Sequence, residues 1–205
     1  MLTVILQLLG VLVFVAGTVL LRRWVLHSPT QRTTNIASRL GHALFHACLF
    51  WPYLATGFRP GFDRVDALVG LRPLPWPSLF RGAGLGLLTA GLGLALASFW
   101  RLGAEGKGAP SFLLVKRVVT DGLYNRVRNP LALGWYLFCV GLGGITGSSY
   151  LTLLALLGYI PAHIFFLKHF EELELEIRFG EPYRRYKESV PFLLPRLRAR
   201  PNAKG

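Results

Sequence analysis

The chain has 205 residues, of which 52% are hydrophobic and 16% charged, and its mean hydropathy is +0.43. That is too apolar for an ordinary water-soluble domain of this size. The 23 Lys and Arg against 10 acidic residues give a net charge of +13, but the cations sit between apolar spans rather than along a groove with interleaved aromatics, which argues against nucleic acid as partner and for basic loops facing anionic lipid headgroups.

The first predicted element runs from Leu2 to Leu21. It has no basic region before it and no Ala-x-Ala cleavage site, so it is expected to remain as a first transmembrane helix. A weaker span covers Leu40 to Phe58 and contains His42, His46 and Pro52. The Pro- and Trp-rich segment from Arg59 to Phe80 reads as a connection, and Gly82 to Trp100 as the third span. No strand precedes Gly84, Gly86, Gly91 and Gly93, so they read as small residues that let helices approach, not as a nucleotide-binding loop. Leu131 to Thr146 and Tyr150 to Leu167 are joined by Gly147-Ser148-Ser149, the composition of a tight helical hairpin. Cys48 and Cys139 lie inside apolar stretches without Cys-x-x-Cys or Cys/His spacing, so neither a disulfide framework nor a metal site is expected.

The expected fold class is all-α, a polytopic transmembrane bundle of about five spans with a helical hairpin. No internal repeat appears, so one membrane domain over 1–205 is expected, with a core at 82–196 after the N-terminal helices and outer loop of 1–81. The segments 22–40, 101–130 and 168–205 carry 4, 6 and 9 of the cations, and 59–81 carries 4. By the positive-inside rule the N-terminus lies outside and the C-terminus in the cytoplasm.

Two cytoplasmic segments are more patterned than connectors need. In the loop, Val118-Val119-Thr120 precedes the Asp121-Gly122 turn and Tyr124. Asn129-Pro130 then reads as an N-cap and first helical residue, beside Arg128, so an anionic group could dock at that helix start. In the tail, Glu171, Glu172, Glu174 and Glu176 fall within six residues. Glu174 with Arg178 and Lys168 with Glu172 stand at i, i+4 and can pair, whereas Glu171 has no such partner. A carboxylate near lipid is costly unless something binds it, and a sulfonium, an ammonium or a ribose diol would each suit. Gly180 ends one helix and Pro182 begins a short amphipathic one carrying Tyr183 and Tyr186 on one face. It either lies on the membrane surface or folds back to roof a cofactor. Val190-Pro191 ends it, and Phe192 to Pro195 continues extended.

Arg128-Asn129-Pro130 at a helix start, a transmembrane hairpin, and then Glu171, Glu172, Leu175, Phe179, Gly180, Tyr183, Tyr186, Val190 and Pro191 resemble the isoprenylcysteine carboxyl methyltransferase and phospholipid methyltransferase superfamily. The resemblance covers roughly Gly82 to Arg196. It implies methyl transfer from S-adenosyl-L-methionine to an amphiphilic or lipid-like acceptor, a carboxylate or an amine, in a bacterial inner membrane. Carried over by position, it implies cofactor binding by Val119, Gly122, Tyr124, Asn129, Pro130, Gly134, Glu171, Glu172 and Tyr186. Arg128 would orient an ionised acceptor and Glu172 would take a proton from an amine; His163 and His169 are near enough in sequence to be considered. The sequence departs from the common Arg-His-Pro-x-Tyr-x-Gly pattern at Asn129 and Ala132, and Phe192 stands where Arg is frequent. An NADPH-dependent membrane reductase of similar topology and a non-catalytic membrane protein are the alternatives.

Overall fold

The computed structural model describes residues 1–58, 63–107 and 114–194, apart from the side chains of Asp63 and Arg64. Every regular element among them is helical. Helix α1 spans Leu2–His27, and α2 covers residues 31–57, in which Gln31–Phe45 passes through a π turn at His46–Phe50 into Trp51–Gly57. Short α3 is Asp63–Leu68, α4 is Pro77–Ala104, α5 is Pro130–Thr146, α6 is Ser149–Phe179 and α7 is Glu181–Ser189. Helices α1, α4 and α6 are long and apolar enough to cross a bilayer. Their outward leucines, such as Leu12 on α1 and Leu96 on α4, are exposed because lipid is their solvent.

A helix occupies every expected span, with several boundaries moved outward: the first ends at His27, the third runs Pro77–Ala104 and the last continues to Phe179. The second helix starts at Gln31, where the Thr30 hydroxyl accepts from the Thr33 amide, and it runs on past Pro52. Proline lacks an N–H and its ring clashes with the carbonyl four residues back. A π turn immediately before Pro52, and another before Pro161, widens the helix at that point and keeps it continuous.

Helices α4 and α5 pack backbone to backbone. A Cβ on Gly91 would stand 2.5 Å from the Gly134 carbonyl and the Phe138 amide, and one on Gly141 would stand 2.4 Å from the Leu88 amide. Gly84 and Gly91 therefore make the expected close approach, while Gly86 and Gly93 face open space. Gly147, left-handed at φ +69°, ends α5 and turns the chain into α6. Deep in the bundle the Gln7 amide donates to the Thr56 hydroxyl (2.6 Å) and the Pro52 carbonyl (3.1 Å), and accepts from the Tyr150 hydroxyl (2.6 Å). One buried amide thus ties α1, α2 and α6.

Candidate functional site

A cavity of about 520 Å³ lies between α2, α4, α5 and α6, roofed by α7 and the segment before α5. It reaches along α2 from Ser38 to Trp51, about 20 Å at 1.5 Å per residue. One end is aromatic: Phe50 stacks on Trp135 with ring centroids 4.6 Å apart, and Phe45 stacks on His163 at 4.4 Å. The other end holds the charges and the tyrosines.

The roof is held by backbone carbonyls. At Gly180, left-handed with φ +62°, the chain reverses between α6 and α7, and α7 folds back against the turn Gly122–Asn125. There the Tyr186 hydroxyl donates to the Tyr124 carbonyl at 2.8 Å. Further on, the Arg128 amide donates to the Pro191 carbonyl (2.9 Å) and the Asn129 side-chain amide to the Phe192 carbonyl (3.0 Å). Burial raises the hydroxyls of Tyr124, Tyr183 and Tyr186 well above the ordinary tyrosine range, so all three remain neutral donors. Of the two arrangements open for α7, the fold-back is the one observed. Val190 is extended after it, and Pro195 lies outside the described residues.

The capping expectation at Asn129 needs correction. Asn129 does occupy the N-cap position of α5, but its side chain makes no capping bond; its Nδ2 instead donates to the Phe192 carbonyl. The first amides of α5 keep their donors free of that side chain. Lys168 likewise does not pair with Glu172; its ammonium lies 4.9 Å from the centroid of the Phe192 ring, which the Arg128 guanidinium approaches at 5.7 Å. The Phe at this position is thus flanked by two cations.

The four tail carboxylates divide into different roles. Glu172 accepts from Arg128 Nη2 at 3.0 Å through one oxygen and from Lys187 at 2.8 Å through the other. Burial alone would lower the Lys187 ammonium, but hydrogen bonds to Glu172 and Glu176 outweigh it and hold its pKa above the ordinary lysine value. Glu174 pairs with Arg178 at 2.6 Å, both buried, and Arg178 also donates to the Val115 carbonyl. Glu171 borders the cavity and has no hydrogen bond or ion pair among the described residues. Arg128 borders the same cavity, and its Nε and Nη1 are buried without a partner.

Of the residues singled out in the sequence, Val119, Tyr124, Arg128, Asn129, Glu171 and Tyr186 border this cavity, with Ala132 and His163. Gly122, Pro130, Gly134 and Glu172 do not. Gly134 is taken up by α4, where a Cβ would stand 2.7 Å from the Gly91 carbonyl. Gly122 is left-handed at φ +61° and lies against the Arg101 guanidinium. His169 is also absent from the lining. Its carbonyl accepts from Arg22 at 2.6 Å, linking α1 to α6. Sequence reasoning named His42 and His46 only as residues of a weak span and did not name Ser38; all three line the α2 wall. A polar i, i+4 pair inside an apolar span was the available signal, since such residues are costly in a membrane.

Residues 80–181 match the family model described as phospholipid methyltransferase. An 81-residue stretch is 40% identical to methanethiol S-methyltransferase 2 of Bradyrhizobium diazoefficiens, covering 40% of this chain and 30% of that protein. The chain thus spans less than a third of that curated relative's length. No solved structure matches it.

Proposed function

Because the chain belongs to the phospholipid methyltransferase family through residues 80–181, we propose that it transfers a methyl group from S-adenosyl-L-methionine to an amphiphilic or apolar acceptor inside the roofed cavity. The observation that carries the proposal is a pair of cavity-lining residues, Glu171 and Arg128, whose polar atoms are not fully met by the protein. Among the described residues, Glu171 offers a carboxylate with no hydrogen-bond or ion-pair partner, and Arg128 offers two buried donors with none. Buried polar groups left this way are expensive unless a ligand completes them. An α-amino acid terminus carries the complementary pair, an ammonium for Glu171 and a carboxylate for Arg128. The donor has that terminus together with a sulfonium, so the residues present fit it.

When bound, the donor supplies a methyl carbon already activated by the sulfonium, so the protein has mainly to align two reactants and exclude water. Glu171, Arg128 and the open start of α5 at Asn129 would hold the polar end. Val119, Tyr124 and Tyr186 would close over it, with Tyr186 fixing the roof through the Tyr124 carbonyl. Glu172 does not border the cavity, and each of its oxygens is taken by a cation. We therefore assign it to holding Arg128 in place rather than to taking a proton.

The aromatic end supports an apolar or amphiphilic acceptor. The relative is named for a thiol, methanethiol, and a small thiol is accordingly the first acceptor to test. The proposed setting is a bacterial inner membrane with the N-terminus outside and this cavity opening at the cytoplasmic face, in one membrane unit whose catalytic core is 82–196.

The test is calorimetric binding of S-adenosyl-L-methionine to detergent-purified protein, beside Glu171→Gln. Binding by the wild type, weakened at least about 10-fold by losing one charge-assisted contact, supports the reading. Equal binding by both removes Glu171 from the site, and no binding by either removes the donor.

A further inference from the structure

His42 lies on α2 and borders the cavity. Its Nδ1 stands 2.8 Å from the Ser38 carbonyl. A carbonyl only accepts, so in the neutral ring Nδ1 carries the hydrogen and Nε2 is left with its lone pair. No hydrogen-bond partner meets Nε2 among the described residues. The ring is fixed edge-on against Phe166, with centroids 6.2 Å apart at 80°. A tautomer set by the backbone, an immobilised ring and an open basic nitrogen are what a proton acceptor needs.

Three elements supply the titratable and charged groups that face it. From α6 come Glu174 and Arg178, which act on His42 electrostatically, and His163, on which His42 acts in turn. From α2 itself comes His46, whose Nδ1 stands 2.8 Å from the His42 carbonyl. From the start of α5 comes Arg128 in the same lining. Glu174 and Arg178 are paired with each other at 2.6 Å and act on His42 in opposite senses.

We propose that His42 is the general base that deprotonates a thiol acceptor during methyl transfer. The inference rests on the donor and thiol reading above. The acceptor sulfur forms its bond to the methyl carbon while the bond from that carbon to the donor's sulfonium sulfur breaks, its electron pair staying on that sulfur. The thiol proton ends on Nε2 of His42 and leaves to water in the next step. A small thiol is largely protonated at neutral pH, so the thiolate must be generated where it reacts.

The test compares wild type with His42→Asn, whose amide can still donate to Ser38, and with His42→Gln. Donor binding should be unchanged within about 2-fold, since among the described residues His42 makes no hydrogen bond or ion pair with Glu171, Arg128 or Asn129. The kcat on an alkane thiol should fall about 100-fold or more, the usual contribution of a positioned base. With an aryl thiol already ionised at the assay pH, the loss should shrink at least 10-fold. A second readout needs no turnover: protein loaded with S-adenosylhomocysteine and an aryl thiol titrating near neutrality should show more bound thiolate by ultraviolet difference absorbance in the wild type than in either variant. Equal losses on both thiols, or equal bound thiolate in all three proteins, would overturn the assignment. A wild type that binds the donor and methylates no thiol overturns it too and leaves the donor site standing, whereas failure to bind the donor removes both.

Discussion

Arg128 and Glu172 face each other at 3.0 Å with side chains only 10% and 11% exposed, and they join the start of α5 to the last turns of α6. Glu172 is also held by Lys187 of α7, whereas its neighbour Glu171 has no hydrogen bond or ion pair among the described residues.

Two adjacent carboxylates should consequently fail in opposite ways. Glu172→Gln leaves a buried guanidinium uncompensated, a change that costs about 3–5 kcal/mol when a buried pair is broken. With slight solvent access the lower end of that range applies. Its thermal unfolding midpoint should drop by several degrees, and donor binding should weaken only as far as Arg128 strays. Glu171→Gln removes no hydrogen bond or ion pair among the described residues, so its midpoint should hold or rise while donor binding weakens at least about 10-fold. Thermal shift with and without S-adenosyl-L-methionine checks both, and a Glu172→Gln protein as stable as wild type contradicts the assignment.

Packing of α4 on α5 gives a second contrast along one helix. At Gly91 a Cβ meets backbone at 2.5 Å, where no flexible side chain can give way, but at Gly86 nothing lies within 4 Å. Gly91→Val should abolish folded, detergent-extractable protein, because overpacking of this kind costs about 1–3 kcal/mol or more and here pushes two helices apart. Gly86→Val should express as wild type. Size-exclusion profiles of the two variants decide the matter, and a monodisperse Gly91→Val peak would be incompatible with this packing.

How the sequence conveyed this architecture depends on what each residue's signal was made of. The spans of α1 and the α5–α6 hairpin were legible because their patterns are continuous and local, apolar runs closed by Gly147 and Ser148. The start of α2 was not, since Gln31–Phe45 is amphipathic and owes its helicity to packing against α1 and α6 as much as to propensity. In the site, Glu171 stood out by lacking a partner four residues away, and no hydrogen bond or ion pair among the described residues supplies one in three dimensions. The roles of Glu172 and Asn129 were not readable, because they are set by Lys187 and the Phe192 carbonyl, groups brought near only by the reversal at Gly180. His42 was visible merely as a blemish in an apolar span; its meaning came from a tautomer fixed by Ser38.

The roof should loosen in alkali. Burial raises the pKa of Tyr124, Tyr183 and Tyr186 above the ordinary value of 10.0. A folded-state pKa above the unfolded one means a contribution to stability that is complete below pH 10 and is lost as pH rises beyond it, because the unfolded chain gives up the protons first. Phenolate absorbance should therefore rise in a late step above pH 10, together with proteolytic cutting of the tail after Phe179. Tyr186→Phe, which deletes the bond to the Tyr124 carbonyl, should cost about 1 kcal/mol and move tail cutting to lower pH. Full ionisation near pH 10 with the tail still protected would refute the burial of these hydroxyls.

At the far end of the bundle, Asp66 of α3 is buried and caps α6 from a distance. Its Oδ1 accepts from the Tyr150 amide at 2.6 Å and from the Ser148 hydroxyl at 3.2 Å, while Ser148 itself accepts from the Leu151 amide at 3.2 Å. One carboxylate thus completes a helix start that no local residue could satisfy alone, and it fastens the connection between α2 and α4 to the hairpin turn. Asp66→Ala strands two donors away from water, at about 1–3 kcal/mol for each unsatisfied group, and should lower the thermal midpoint more than any other single truncation in that segment. Asp66→Asn retains an accepting oxygen in the same place and should recover most of the loss. Neither change touches the cavity, so donor affinity per folded molecule should stay at the wild-type value. If Asp66→Ala and Asp66→Asn destabilise equally, the negative charge and not the hydrogen-bond geometry is what α6 requires, and the dipole of its N-terminus becomes the better explanation.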